Sequence, residues 1–159
     1  MKQDRFLLAI LLAIGGLVVL ALVLFFTRGS QQEYVADDTP QGVTRNYILA
    51  LQKGDYARAY NYLGDYTNKP DQVAYQTDMI NRRREIDLVA VQFEAVEQVG
   101  DQTIVPLTLI HSSNGPFADA WRETSQAVLV QDASGNWKIT AMPYTFWVYS
   151  APVKTPPAL

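Results

Sequence analysis

The longest apolar run of the chain lies near its N-terminus, where residues 6–26 carry no charged and no hydrogen-bonding side chain. As an α-helix this run would span about 32 Å, close to the ~30 Å hydrocarbon core of a bilayer. Bulky Phe25 and Phe26 stand where a signal peptidase needs small residues, so the run is typical of a retained anchor. The pattern therefore predicts a transmembrane helix within residues 1–28.

The charges that flank this run predict its orientation. Lys2 and Arg5 precede the run, whereas Arg28 is the basic residue that follows it closely. Basic residues favour the cytoplasmic side of a membrane. We therefore expect a single-pass protein of the inner (cytoplasmic) membrane, with a cytoplasmic N-terminus and an extracytoplasmic C-terminal domain.

Small residues follow one face of the predicted helix. Ala9, Ala13 and Gly16 are spaced at i, i+4 and i+7. Such a stripe lets another helix approach closely, which makes it a candidate helix-packing face. The alternative is that Ala and Gly are simply common in membrane helices.

After a polar linker at residues 29–38, apolar residues recur at helical spacing in three segments. Thr39 and Pro40 are typical of a helix start, and Gly54 of its end. Asp55 is positioned to cap a second helix, and Asp71 a third. The predicted inner face of the third helix consists of Val73, Thr77 and Ile80, with Met79 beside them.

From Val89 onward the hydrophobic period changes from 3.6 to 2, which is typical of strands. Four strands are predicted, separated by turns that contain Gly, Asn or Pro. Three helices followed by a four-stranded antiparallel sheet indicate an α+β domain over residues 39–142. Residues 143–159 form an aromatic and Pro-rich C-terminal tail.

The junction between the first two helices of this domain carries a resemblance. Its sequence, residues 51–60 (LQKGDYARAY), resembles the start of nuclear-transport-factor-two-like domains, a cystatin-like α+β fold. The pattern Gly-Asp-Tyr-x-x-Ala-Tyr is similar to that of small extracytoplasmic bacterial members. The resemblance implies helices packed on a strongly curved sheet. It implies no catalytic residue, because the family includes enzymes, small-molecule binders and interaction modules.

Composition excludes several kinds of site. The chain has no cysteine and a single histidine, so thiol, iron–sulfur and histidine-based metal sites are not expected. Its net charge of −3 disfavours nucleic acid as a partner. We expect no cofactor and no metal.

A few residues could still bind or react with a ligand. His111 closes a predicted strand, and Asp119 is a candidate carboxylate across the following loop. Weak pocket candidates are therefore His111, Tyr56 and Tyr60. Tyr47 and Tyr75 would also line the interior, where tyrosines most often serve packing.

Two further groups are candidates for contacts outside the domain. The tail concentrates aromatic residues at Tyr144, Phe146, Trp147 and Tyr149, which suggests contact with a partner or a membrane interface. The basic cluster at residues 82–84 either complements a helix C-terminus or binds acidic groups.

The preferred interpretation is a non-catalytic accessory subunit of a bacterial membrane protein complex, with a layout similar to that of small subunits in respiratory or photosynthetic electron transfer. Its partners would be other membrane subunits and the lipid bilayer. One alternative is a membrane-tethered small-molecule-binding or enzymatic domain that uses the interior cavity of the cone-shaped fold that the resemblance implies. The other is an oligomerising scaffold component of a secretion system.

Overall fold

A computed structural model describes residues 3–27, 32–112 and 120–148 of the chain. Residues 149–159 of the tail, which include Tyr149, lie outside the described residues, and so does Asp119. The chain divides into two compact units, Met1–Glu33 and Tyr34–Leu159.

The first unit contains helix α1 (Gln3–Thr27), whose side chains are described from residue 7 to residue 23. Crossing a bilayer takes about 20 predominantly apolar residues in one helix. Within the described residues, no helix is both long and apolar enough to do so. This finding contradicts the predicted transmembrane anchor at residues 1–28, and with it the single-pass inner-membrane localisation.

The second unit begins with helices that start at side-chain caps. Thr39, Asp55 and Asp71 each accept a hydrogen bond from a backbone N–H of the first turn, at 3.0, 3.1 and 2.8 Å. Three helices were predicted here, but the chain leaves helical geometry at Arg82 and divides the third into two. The four helices are α2 (Pro40–Lys53), α3 (Tyr56–Asn61), α4 (Gln72–Asn81) and α5 (Arg83–Asp87).

The sheet is antiparallel and contains strands β1 (Val89–Phe93), β2 (Glu97–Val99), β3 (Gln102–His111), β4 (Trp121–Gln131) and β5 (Trp137–Ala141). The strand order is β1-β3-β4-β5, and β2 pairs with β3 beyond the end of β1. The first predicted strand is interrupted after Phe93, close to Pro106 of the neighbouring strand, which has no N–H to donate. Five strands therefore replace the predicted four.

The core lies between the helices and one face of the sheet. Alternate residues of β3, from Thr103 to Leu109, are buried and face the helices. After β5 a 3₁₀ turn (Tyr144–Phe146) folds the chain back, so that Phe146, Trp147 and Val148 join this core. The largest fully buried side chains include Tyr47, Tyr75, Phe146, Leu107, Leu109 and Leu129.

Helix α4 turns a different face inward from the one predicted. Tyr75 and Met79 are fully buried, whereas Val73 and Ile80 are 74% and 56% exposed. The predicted inner face was wrong because the helix carries apolar residues on two opposite sides. The side with the larger Tyr and Met side chains is the one that packs on the domain.

Candidate functional site

A pair of hydrogen-bonded phenols occupies the interior between helices and sheet. The Tyr47 hydroxyl donates to the backbone carbonyl of Phe146 at 2.5 Å and accepts from the Tyr75 hydroxyl at 3.1 Å. Burial raises the pKa of both phenols well above the usual range. Tyr47 and Tyr75 were both predicted to line the interior. Their hydroxyls are neutral and hydrogen-bonded to the protein itself.

The pocket candidates Tyr56 and Tyr60 differ in their hydrogen bonding. The Tyr60 hydroxyl donates to the carbonyl of Pro70 at 3.0 Å, and its ring lies 5.3 Å from that of Tyr75. The Tyr56 hydroxyl is buried without a hydrogen-bond partner among the described residues, and so is the hydroxyl of Tyr66. Burial raises the pKa of Tyr66 to about 12.

His111 contacts two residues that the sequence did not point to. Its Nε2 lies 3.1 Å from a carboxylate oxygen of Glu123, and its ring stacks on Trp121 at 3.8 Å between centroids. The strand register explains this cluster, since His111 pairs with Trp121, and Leu109 with Glu123. Alternation places all of these side chains on one face of the sheet. Only the register of β3 with β4 could have revealed Glu123 as a neighbour of His111; the candidate carboxylate Asp119 lies outside the described residues.

The aromatic residues of the tail have different environments. Phe146 and Trp147 are buried in the domain, and the Trp147 ring lies 4.4 Å from the ring of Tyr66. Tyr144 is 67% exposed. The guanidinium of Arg82 lies 4.8 Å above the Tyr144 ring and donates to its backbone carbonyl at 3.0 Å. Of the three described candidates, Tyr144 alone presents its ring to the outside.

The three arginines at the end of α4 differ in their partners. Arg82 pairs with Asp78 at 2.8 Å, and Arg83 with Asp87 at 3.5 Å. The exposed side chain of Arg84 has no hydrogen bond or ion pair with any described residue. Beside it lies an open groove of about 490 Å³, lined by Ile80, Asn81, Arg83, Arg84, Asp87 and Leu88.

In α1, the side chains of the candidate packing face are exposed, as are all the others described there. A Cβ added at Gly16 would meet nothing within 4 Å. Ala9, Ala13 and Gly16 therefore leave room for close approach of another helix.

Among the described residues, no group of three or more His, Cys, Asp or Glu side chains could hold a metal ion.

Comparison with solved structures assigns the fold. A crystal structure from Shewanella frigidimarina, named as a candidate ketosteroid isomerase, superposes with a TM-score of 0.50. The two chains are 19% identical, over 68% of this chain and 96% of that one. The domain has a nuclear-transport-factor-two-like fold. At this identity, the likeness concerns the fold and not the reaction.

Other solved structures are similar at lower scores. A Campylobacter jejuni protein, named as a candidate NTF2-like transpeptidase, is 13% identical over 65% of this chain and 99% of its own, with a TM-score of 0.44. A cystatin-fold protein of Novosphingobium aromaticivorans is 10% identical over 64% and 96%, with a TM-score of 0.41. No protein-family model and no curated protein matches the chain.

Proposed function

We propose that this chain is a non-catalytic subunit of a larger protein assembly, in which the nuclear-transport-factor-two-like domain binds other proteins. The observation that carries the proposal is the exposure of α1. Its described side chains are apolar on every face and all exposed. A helix that is apolar all round is buried in its working state. In our proposal, neighbouring subunits cover it.

The interior of the domain supports a non-catalytic role. The phenols of Tyr47 and Tyr75 are hydrogen-bonded to each other and to the backbone carbonyl of Phe146. An enzyme with this fold could otherwise use such phenols to polarise a substrate. Fully buried side chains of α2, α4, the sheet and the 3₁₀ turn surround them. Substrate binding at this point would require displacement of the core.

The proposal is tested by the native mass of the full chain. Purified from its own cells under gentle, non-denaturing conditions, the chain should migrate well above its own 17.8 kDa, because the neighbouring subunits stay bound to α1. The double substitution A13L/G16L adds bulk to the candidate packing face and should shift the chain toward lower mass. V18L adds a single methylene group on the opposite face, and it controls for substitution within α1 as such. A wild-type chain that migrates only as a free monomer would overturn the proposal.

A second candidate function is favoured by the phenols of Tyr56 and Tyr66. A buried hydroxyl without a partner costs about 1–3 kcal/mol, and a bound polar molecule would remove that cost. This function predicts that the native chain carries a small ligand, detectable by native mass spectrometry and lost in Y56F/Y66F. Identical masses before and after denaturation would exclude it.

A further inference from the structure

Strand β1 lies at an edge of the sheet, and alternate backbone groups along it have no partner. The N–H of Ser112 donates to the carbonyl of Leu88, and the N–H of Glu94 donates to the carbonyl of Pro106, both at 3.1 Å. Given the register of β1 with β3, the even-numbered residues of β1 therefore turn their backbone groups toward β3. The odd-numbered residues turn theirs toward the open edge, where they bond to no described residue. These residues are Val89, Val91 and Phe93.

The other open positions of the sheet are protected, whereas β1 is not. On β5, the N–H of Ile139 donates to the carbonyl of Tyr62 at 2.9 Å, and its carbonyl accepts from the N–H of Gly64 at 2.8 Å. The part of β4 that extends past β5 carries the charged residues Arg122 and Glu123. Proteins use such covering segments, charges or prolines to keep other strands off an edge. The β1 sequence, VAVQF, contains no charge and no proline, and no described segment covers it.

The edge becomes acidic where β1 ends. Glu94 lies opposite Pro106 of β3, and Glu97 of β2 lies opposite Ile104. Pro106 and Ile104 are two residues apart in one strand, so the two carboxylates share a face of the sheet. Both glutamates are exposed, and neither forms an ion pair within the part of the chain that the structure describes. A strand added along this edge is therefore favoured when its end beside the glutamates is basic.

We propose that β1 binds an extended strand of a neighbouring subunit, which adds antiparallel to the edge of the sheet. The proposal rests on the proposed function, because the strand comes from a partner in the assembly. Val91 and Phe93 pack partly on the core, so the residues opposite them in the added strand are apolar, and a lysine or arginine lies opposite Glu94. A second copy of β1 fits less well, because pairing centred on Val91 would place Leu88 opposite Glu94.

A designed peptide tests this edge on the purified full chain. In the sequence Lys-Lys-Val-Thr-Val-Thr-Val, the second lysine falls opposite Glu94 and the middle valine opposite Val91 when the strands are antiparallel. The fluorescently labelled peptide should bind saturably. The peptide should also slow hydrogen exchange at the amide of Val91, which should be fast in the free chain because its N–H faces the open edge.

Two methylated peptides test the strand register. N-methylation of the middle valine removes the N–H that would donate to the carbonyl of Val91, and it should weaken binding about tenfold or more. N-methylation of the threonine that follows is the matched control, because the backbone of this residue, opposite Ala90, faces away from β1. The control peptide should bind within about twofold of the parent.

Two chain variants test the charge. E94K should weaken binding about threefold to tenfold, because it opposes the lysine of the peptide with another cation. D65K makes the same change of charge beside β5, at the other edge of the sheet, and should leave binding unchanged. Far-UV circular dichroism of both variants shows whether the fold is retained.

Several results would overturn the proposal. They are the absence of saturable binding up to about 1 mM peptide, equal binding of the two methylated peptides, and equal effects of E94K and D65K. Slow exchange at Val91 in the free chain would also contradict it. That protection would assign the edge to a second copy if it rose with protein concentration, and to the chain itself if it did not. The native mass described above tests the assembly separately, so peptide binding and assembly can each fail alone.

Discussion

The tyrosine hydroxyl groups of this domain differ in what they contribute to its stability, although the rings that carry them pack in the same interior. The Tyr47 hydroxyl is bonded to two partners, whereas the Tyr66 hydroxyl is buried with none among the described residues. Removing a hydroxyl that satisfies other buried groups leaves those groups unpaired, which costs more than the bond itself. We therefore expect replacement of tyrosine by phenylalanine to affect the stability of the domain differently at these two positions.

Y47F should destabilise the domain by about 1–3 kcal/mol, because the Tyr75 hydroxyl and the Phe146 carbonyl lose their partner. Y66F should be neutral or slightly stabilising, since no bond is lost. Urea unfolding of the full chain, followed by fluorescence, measures both. Equal losses in the two variants would contradict the hydrogen-bond assignment.

The same phenols predict how stability depends on alkaline pH. An unfolded tyrosine ionises at its ordinary pKa of 10.0, whereas burial raises the pKa of Tyr66 to about 12 and that of Tyr75 further. Above pH 10 the folded state thus keeps protons that the unfolded state has lost, so stability falls as pH rises. The free energy of unfolding should be level below pH 10 and decline between pH 10 and about 12.

Urea unfolding at a series of pH values, together with the tyrosinate absorbance of the folded chain, checks this decline. Y66F is the informative variant, because it should remove part of the slope in that pH range. An unfolding free energy that stays constant up to pH 12 would show that these phenols are not buried.

At the scale of elements, the caps made the helix starts predictable. Thr39, Asp55 and Asp71 act locally, through the N–H groups of the next turn, and each was expected from the sequence. The inward face of α4 was not predictable, because both sides of that helix are apolar and its neighbours decide between them. The cluster of His111 with Glu123 depends in the same way on strand register, which short-range pattern does not fix.

The segment before α2 lies within the predicted linker at residues 29–38, and its hydrogen bonds to α2 were not expected from the sequence pattern. The buried side chain of Asn46 donates to the carbonyl of Val35 at 2.7 Å and accepts from the Val35 N–H at 2.9 Å. Its amide also donates to Asp37, whose carboxylate accepts from the Tyr62 hydroxyl at 3.1 Å. One asparagine thus fixes this segment on α2.

N46A should release the segment and cost about 1–2 kcal/mol, because the N–H and the carbonyl of Val35 both lose their partner. The amide of Val35 should then exchange with solvent much faster, which hydrogen exchange measures. N61A changes an exposed asparagine and should stay within about 0.5 kcal/mol of the wild type. Unchanged exchange at Val35 in N46A would mean that other contacts hold the segment.

At the scale of the whole molecule, one unit contains the hydrophobic core and the other contains the helix that we propose binds neighbouring subunits. The residues of the hydrophobic core all lie between Val43 and Val148, within the unit that begins at Tyr34. Helix α1 belongs to the other unit and exposes its apolar side chains. In the proposed assembly, the domain supplies a folded surface and α1 supplies apolar area for neighbouring subunits.

A fragment that begins at Gln32 should therefore fold by itself, with a single cooperative urea transition, because it contains the complete core. The fragment lacks the apolar surface of α1, so it should bind the partners from the native source more weakly. When mixed with them, it should migrate at lower mass than the full chain does. Two contacts linked in one chain bind more tightly than either alone, so the loss should exceed that caused by A13L/G16L. A fragment that unfolds without a transition would show that the second unit depends on the first. A fragment that folds and still enters the assembly at full strength would instead place all of the binding on the domain.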